Sequence, residues 1–153
     1  MARETFVPVS THKTLRITAT SLAYLQGDAG SEAEILLQAY ITVPPGAETT
    51  FINLLETDVP DDGGLYTFPS SYFTPSYSLS YRKAHAVTLR ITGTETDVTS
   101  NDDFSGSFTL TYNPTTDRWS LPSGVTITNS FVLTAKDNSN NDALNLYCTL
   151  SWQ

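Results

Sequence analysis

The sequence predicts an all-β fold, an antiparallel β-sandwich or barrel, and three observations carry that expectation. Charged residues make up only 16% of the 153 positions, against about a quarter in an ordinary globular domain. Thr, Ser, Tyr and Asn take their place; Thr, Tyr and Phe suit a pleated, half-buried surface, while strong helix formers such as Ala, Glu, Lys and Met are sparse. Finally, short stretches that alternate apolar and polar residues follow one another between turn residues, the pattern of a closely spaced set of strands.

In chain order, residues 1–13 are polar and read as an extended N-terminal arm, leaving 14–153 as one β-domain of ordinary size. Thr14-Leu-Arg-Ile-Thr-Ala-Thr20 alternates strictly and opens the domain, and Gln26 to Ser31 is a loop. Ala33 to Val43 could begin as a helical turn at Ser31-Glu-Ala-Glu34. A long strand is preferred, because Tyr-Ile-Thr-Val ends the segment and Pro44-Pro45-Gly46 stops it. Thr49 to Leu55 is the next strand and Asp58 to Gly64 a turn cluster. Tyr66 to Tyr81 is crowded with aromatic residues and broken by Pro69 and Pro75. It reads as an edge or an ordered loop with a strand at Tyr77 to Tyr81. Ala86–Thr94, Phe104–Tyr112, Arg118–Leu121, Val125–Ala135 and Ala143–Gln153 complete the set, with turns at Asn113–Asp117 and Pro122–Gly124 and a polar loop from Lys136 to Asp142. The pentapeptide Thr14-Leu-Arg-Ile-Thr18 recurs as Thr88-Leu-Arg-Ile-Thr92, an echo that either duplication or the ordinary vocabulary of strands would produce.

Charge excludes some functions. The formal net charge is −8, with eight basic residues scattered on an acidic background. Binders of nucleic acid neutralise its phosphates with Lys and Arg, and anionic membranes attract polybasic segments, so neither partner is expected. No apolar run approaches the length of a membrane-spanning helix, and no secretory leader is visible at the N-terminus. Cys148 is the single cysteine, so no intrachain disulfide forms, and its place on the apolar parity of the last strand makes it a small core residue.

The search for chemistry runs mostly by elimination. His12 and His85 stand in no metal-binding spacing, there is no Gly-x-Ser-x-Gly elbow, and Asp62-Gly-Gly-Leu65 lacks the Lys-Ser/Thr of a phosphate loop. Glu32 with Glu34, and Glu95 with Asp97, would share a strand face as a glycosidase-type carboxylate pair requires, but solvated strand-end acids are the simpler reading. The acidic groups Asp58/Asp61/Asp62, Asp97/Asp102/Asp103 and Asp137/Asp142 match no regular calcium-loop spacing and suit turn chemistry. No catalytic residue, metal site or cofactor is therefore expected. What remains is the aromatic segment. Tyr66, Phe68, Tyr72, Phe73, Tyr77 and Tyr81 are the candidate binding or interface residues, since aromatics dominate interfaces and can stack on sugar rings. Covering an open end of the core is the structural alternative.

The stretch Asp103-Phe-Ser-Gly-Ser-Phe-Thr-Leu-Thr-Tyr-Asn-Pro-Thr-Thr-Asp-Arg-Trp119 resembles a β-hairpin of small virion-associated proteins of tailed phages: a loop, a Gly-Ser/Thr-Phe/Tyr-Thr-Leu strand, a turn and a Trp. The small, acidic, Thr-rich composition with one Cys is similar to that of capsid decoration or cement proteins. The resemblance covers the C-terminal third, rests on strand and turn residues, and transfers no catalytic residue. It implies a jelly-roll-like sandwich forming a homo-oligomer, a trimer foremost, that clamps the major capsid protein in the virion, with contacts through the arm and the aromatic segment. The alternative is a carbohydrate-binding module or lectin using residues 66–81, and a carboxylate hydrolase stands third.

Overall fold

The computed structural model describes residues 10–25, 32–60, 62–96, 101–137 and 142–153, with backbone alone at 32, 62, 101 and 102. Ten strands cover these residues: β1 His12–Leu25, β2 Glu32–Thr42, β3 Thr49–Pro60, β4 Asp62–Phe73, β5 Tyr77–Ser80, β6 His85–Thr96, β7 Asn101–Asn113, β8 Arg118–Ser120, β9 Ser130–Asp137 and β10 Ala143–Trp152. All pairings are antiparallel, in the order β3-β2-β6-β7-β9-β10-β1-β4, with β5 added to the N-terminal half of β1 and β8 to the end of β7. The sheet folds over on itself until its end strands, β3 and β4, approach without pairing, so an all-β, sandwich-like fold nearly closed into a barrel results.

The period-2 pattern explains which face is inside. In β6, Val87, Leu89 and Ile91 are buried while the residues between them are not. Leu15 and Ile17 of β1, Leu37 and Ile41 of β2, and Leu133 and Leu146 of β9 and β10 meet them in one core. Each such side chain contributes about 1.5–3 kcal/mol through burial. Cys148 is 2% exposed, as its parity predicts, and desolvation pushes its thiol up to about 12.

Several boundaries differ from the sequence reading, each for a physical reason. β1 starts at His12, two residues inside the predicted arm, because residues 12–15 pair with β5; residues 1–9 of the arm lie outside the described residues. β1 also continues to Leu25. Past a bulge at Thr20 the alternation vanishes because Ser21, Leu22, Ala23 and Tyr24 are all buried. β3 runs through Asp58 and Val59, read as turn, because Val59 is fully buried and Pro60 stands at the last position of an end strand, where a missing N–H costs no ladder bond.

The aromatic segment is strand rather than loop up to Phe73. Pro69 is accommodated because β4 is an end strand with a register break: Ala19 faces Tyr72 and Ser21 faces Thr67, so residues 68–71 bulge opposite Thr20. Thr74 then clips the chain back onto β1, its N–H donating to the Ile17 carbonyl (2.9 Å) while its Oγ1 accepts from the Ile17 N–H (3.0 Å).

The predicted strand at Val125–Ala135 starts late, at Ser130. Residues 125–129 stay outside β9: Thr126 bridges Ser120 at the end of β8, the Ile127 N–H donates to the Trp119 carbonyl (2.8 Å), and the Leu150 N–H to the Asn129 carbonyl (2.8 Å). Residues 127–129 border a cleft with Trp119 and Trp152.

Candidate functional site

The turn after β7 builds a polar group that joins three strands among the described residues. Asn113 starts it by accepting the Thr115 N–H on its own Oδ1 (2.9 Å), an Asx turn. Asp117 closes it with φ of 56°, a left-handed conformation that short polar side chains tolerate better than most. This conformation delivers the Asp117 carboxylate to three donors. Oδ1 accepts from the Tyr112 hydroxyl (2.6 Å) and from the Trp152 indole Nε1–H (2.9 Å), and Oδ2 pairs with the Lys13 ammonium. Lys13 foremost, then Tyr112 and Trp152, hold the carboxyl at about 2. Burial, with the Asp117 charge alongside, pushes the Tyr112 phenol up to about 12.

Aromatic rings surround this group. Tyr112, Trp119 and Trp152 contact one another at centroid distances of 4.9–5.5 Å, and His85 stacks on Trp119 at 6.4 Å. Lys13 Nζ lies 5.9 Å from the Tyr81 ring centre and 6.0 Å from that of Trp152. Beside them opens a cleft of about 540 Å³, walled by Trp119 and Trp152 and rimmed by Lys13, Asp117, Thr128 and Asn129. The buried Trp119 Nε1–H has no acceptor among the described residues.

The six aromatics singled out from sequence do not form one surface. Tyr66, Phe68 and Tyr72 make an edge-to-face ladder with centroid spacings of 5.9 and 5.0 Å, with Phe68 buried and its two neighbours half-buried against the core. Tyr77, opposite Leu15, also packs on the core. Tyr81 joins the Lys13 group and donates its hydroxyl to the Ser10 carbonyl (2.6 Å). Phe73 is the outward one, 49% exposed, with the Arg16 guanidinium carbon 3.9 Å from its ring centre. The second Thr-Leu-Arg-Ile-Thr copy repeats this arrangement. Arg90 lies 4.0 Å from the Tyr40 ring centre and is also held by Glu48 through bonds of 3.0 and 2.7 Å.

Sequence reasoning missed the Lys13–Asp117–Trp152 group because its members are 104 and 35 residues apart. The available signal was the Asn-Pro-Thr-Thr-Asp turn followed by Arg-Trp. Of the proposed carboxylate pairs, Glu95 is 7% exposed, while Asp97 and the Glu32 side chain lie outside the described residues. Among the acidic loops, Asp61 and Asp97, and the side chains of Asp62 and Asp102, lie outside them too. No group of three or more His, Cys, Asp or Glu suited to a metal ion occurs among the described residues.

No family model matches the sequence, and no curated protein matches it. Among solved structures, two of human GIVD cytosolic phospholipase A2 in complex with methyl gamma-linolenyl fluorophosphonate, one also with terbium chloride, are similar at a TM-score of 0.40 and 14% identity. They cover 92–93% of this chain and 17–18% of theirs, so the chain spans less than a fifth of the length of those proteins.

Proposed function

We propose that this chain is a virion structural protein of the capsid decoration or cement type, which acts by assembling with copies of itself and with the major capsid protein. The observation that carries this reading is the seam where the sheet fails to close. The end strands β3 and β4 bear Leu55 and Leu65, which are 73% and 56% exposed. Chains that stay monomeric protect such edges with charge, proline or covering loops, and exposed apolar residues on an open edge favour assembly. A second copy can cover the leucines and pair with an open strand edge. The β7–β8 hairpin, which spans the residues that resemble phage virion proteins, agrees with this reading. Phe73 extends the exposed apolar surface along β4.

Light scattering coupled to size exclusion tests the assembly, with a trimer expected. Leu55→Lys and Leu65→Lys should lower the assembled mass while leaving the far-UV spectrum unchanged. Mass spectrometry of gradient-purified phage particles should find the chain. A strict monomer at all concentrations that is absent from purified particles would refute the proposal.

A further inference from the structure

The cleft beside Asp117 is independent of the seam and has a chemistry of its own. Its volume of about 540 Å³ falls within the range of roughly 300–1,000 Å³ typical of small-molecule sites. Trp152 is half-buried in its wall, and the bond from its Nε1–H to Asp117 together with the Tyr112 ring at 4.9 Å fixes the indole in place. A ring held this way loses little freedom when a ligand stacks on it.

The rest of the lining is polar and largely uncharged. Thr128, Asn129, Ser151 and Gln153 are exposed, and their side chains make no hydrogen bond among the described residues. The charges present are mostly balanced: Lys13 and Asp117 neutralise each other, leaving Arg118. Among the described residues an anionic ligand would find Arg118 as the unpaired cation of the cleft, on a chain of net charge −8, which disfavours phosphates and polyanions. An extended peptide finds little free edge here: β10 pairs with β1 through Trp152 and with β9 up to Thr149, beyond which the Leu150 N–H is taken by the Asn129 carbonyl (2.8 Å).

We propose that this cleft is a subsite for one neutral pyranose ring of a carbohydrate. The apolar C–H face of the sugar stacks on Trp152, and its hydroxyls exchange hydrogen bonds with Asn129 and Thr128. The subsite lies away from residues 66–73 of the aromatic segment, although Tyr81 packs on Lys13 at its rim, and it does not depend on the assembly reading: either can fail while the other stands.

The test is an NMR titration of the whole chain with maltotriose, cellotriose, mannotriose, galactobiose and chitotriose, following the indole N–H signals. The expected result is a shift of the Trp152 signal by at least one of these, with a dissociation constant on the order of 1 mM. Asn129→Ala, an exposed rim change that spares the core, should weaken that binding about tenfold; Trp152→Phe should weaken it further, with folding checked by circular dichroism. Several results would overturn the proposal: an unmoved Trp152 signal with every sugar, shifts confined to Tyr66–Phe73, binding restricted to sulfated or sialylated sugars, or an Asn129→Ala variant that binds as the parent does.

Discussion

The Tyr112 hydroxyl sits 2.6 Å from Asp117 Oδ1, and this one contact joins the end of β7 to the turn that follows it. The same carboxylate takes the Trp152 indole from the end of β10 and the Lys13 ammonium from the start of β1. Strands far apart in sequence are therefore tied through a single left-handed residue.

Replacing that carboxylate separates its roles. Asp117→Asn keeps an acceptor for Tyr112 and Trp152 and tolerates the positive φ, so its cost should be about 1 kcal/mol or less. Asp117→Ala removes the acceptor and places a β-carbon without polar compensation in the left-handed region, for a cost of about 2 kcal/mol. The pH dependence follows from the lowered pKa. The folded carboxyl titrates at about 2 and the unfolded one near the ordinary 3.8, so its contribution is present above the unfolded value and disappears as pH falls through the folded one. Urea melts at a series of pH values should show the gap between the parent and Asp117→Asn closing between about pH 4 and 2.

Tyr112 has the opposite sign. Its phenol is pushed from 10.0 up to about 12, so its contribution is complete below the unfolded value and is lost as pH rises through the folded one. Tyrosinate absorbance titrations of the parent and of Tyr112→Phe should differ by a component that ionises late. Tyr112→Phe should delete that late step and cost about 1 kcal/mol at neutral pH, because it removes the hydroxyl bond without opening a large void.

The strands were legible wherever one face of the sheet is wet. β6 alternates along nearly its whole length and its bounds follow from that pattern. Legibility failed at Ser21–Tyr24, where both faces are covered and the polar beat disappears, and at Pro69, which the sequence marks as a breaker but a four-residue bulge absorbs. The cleft was illegible for a different reason. It depends on residues 125–129, which have the composition of a strand, bonding instead to the main chain of Trp119 and Leu150 in β8 and β10. The aromatic segment was visible as a cluster, but composition does not say which rings turn inward; Phe68 is buried and Phe73 is not, with four residues between them, three of those in the bulge.

Cys148 offers a probe of local opening. Its thiol is 2% exposed and pushed up to about 12 by burial, and the thiolate is the reactive form. Maleimide at pH 8 should leave the native protein unlabelled on the timescale in which it fully labels the guanidine-unfolded chain. The residual native rate then reports how often the β9–β10–β1 region opens. Rapid labelling of the native chain would contradict the buried position.

The two arginines of the repeated pentapeptide give a paired comparison within one protein. Arg16 and Arg90 each lie across an aromatic ring of a neighbouring strand, at 3.9 Å from Phe73 and 4.0 Å from Tyr40. Among the described residues only Arg90 is also fixed by a carboxylate, Glu48. A double-mutant cycle of Arg16→Gln with Phe73→Leu should return a coupling of about 0.5–1 kcal/mol. This coupling should change little between low and high salt, since it rests on a quadrupole at contact distance. Arg90→Gln with Tyr40→Leu should likewise show favourable coupling, but Arg90→Gln also loses an exposed ion pair that salt screens. The stability cost of Arg90→Gln should therefore fall as salt rises while that of Arg16→Gln stays constant. Equal salt dependence at both positions would mean that stacking does not dominate at Arg16, and the shared geometry of the two pentapeptides would then carry no shared energetics.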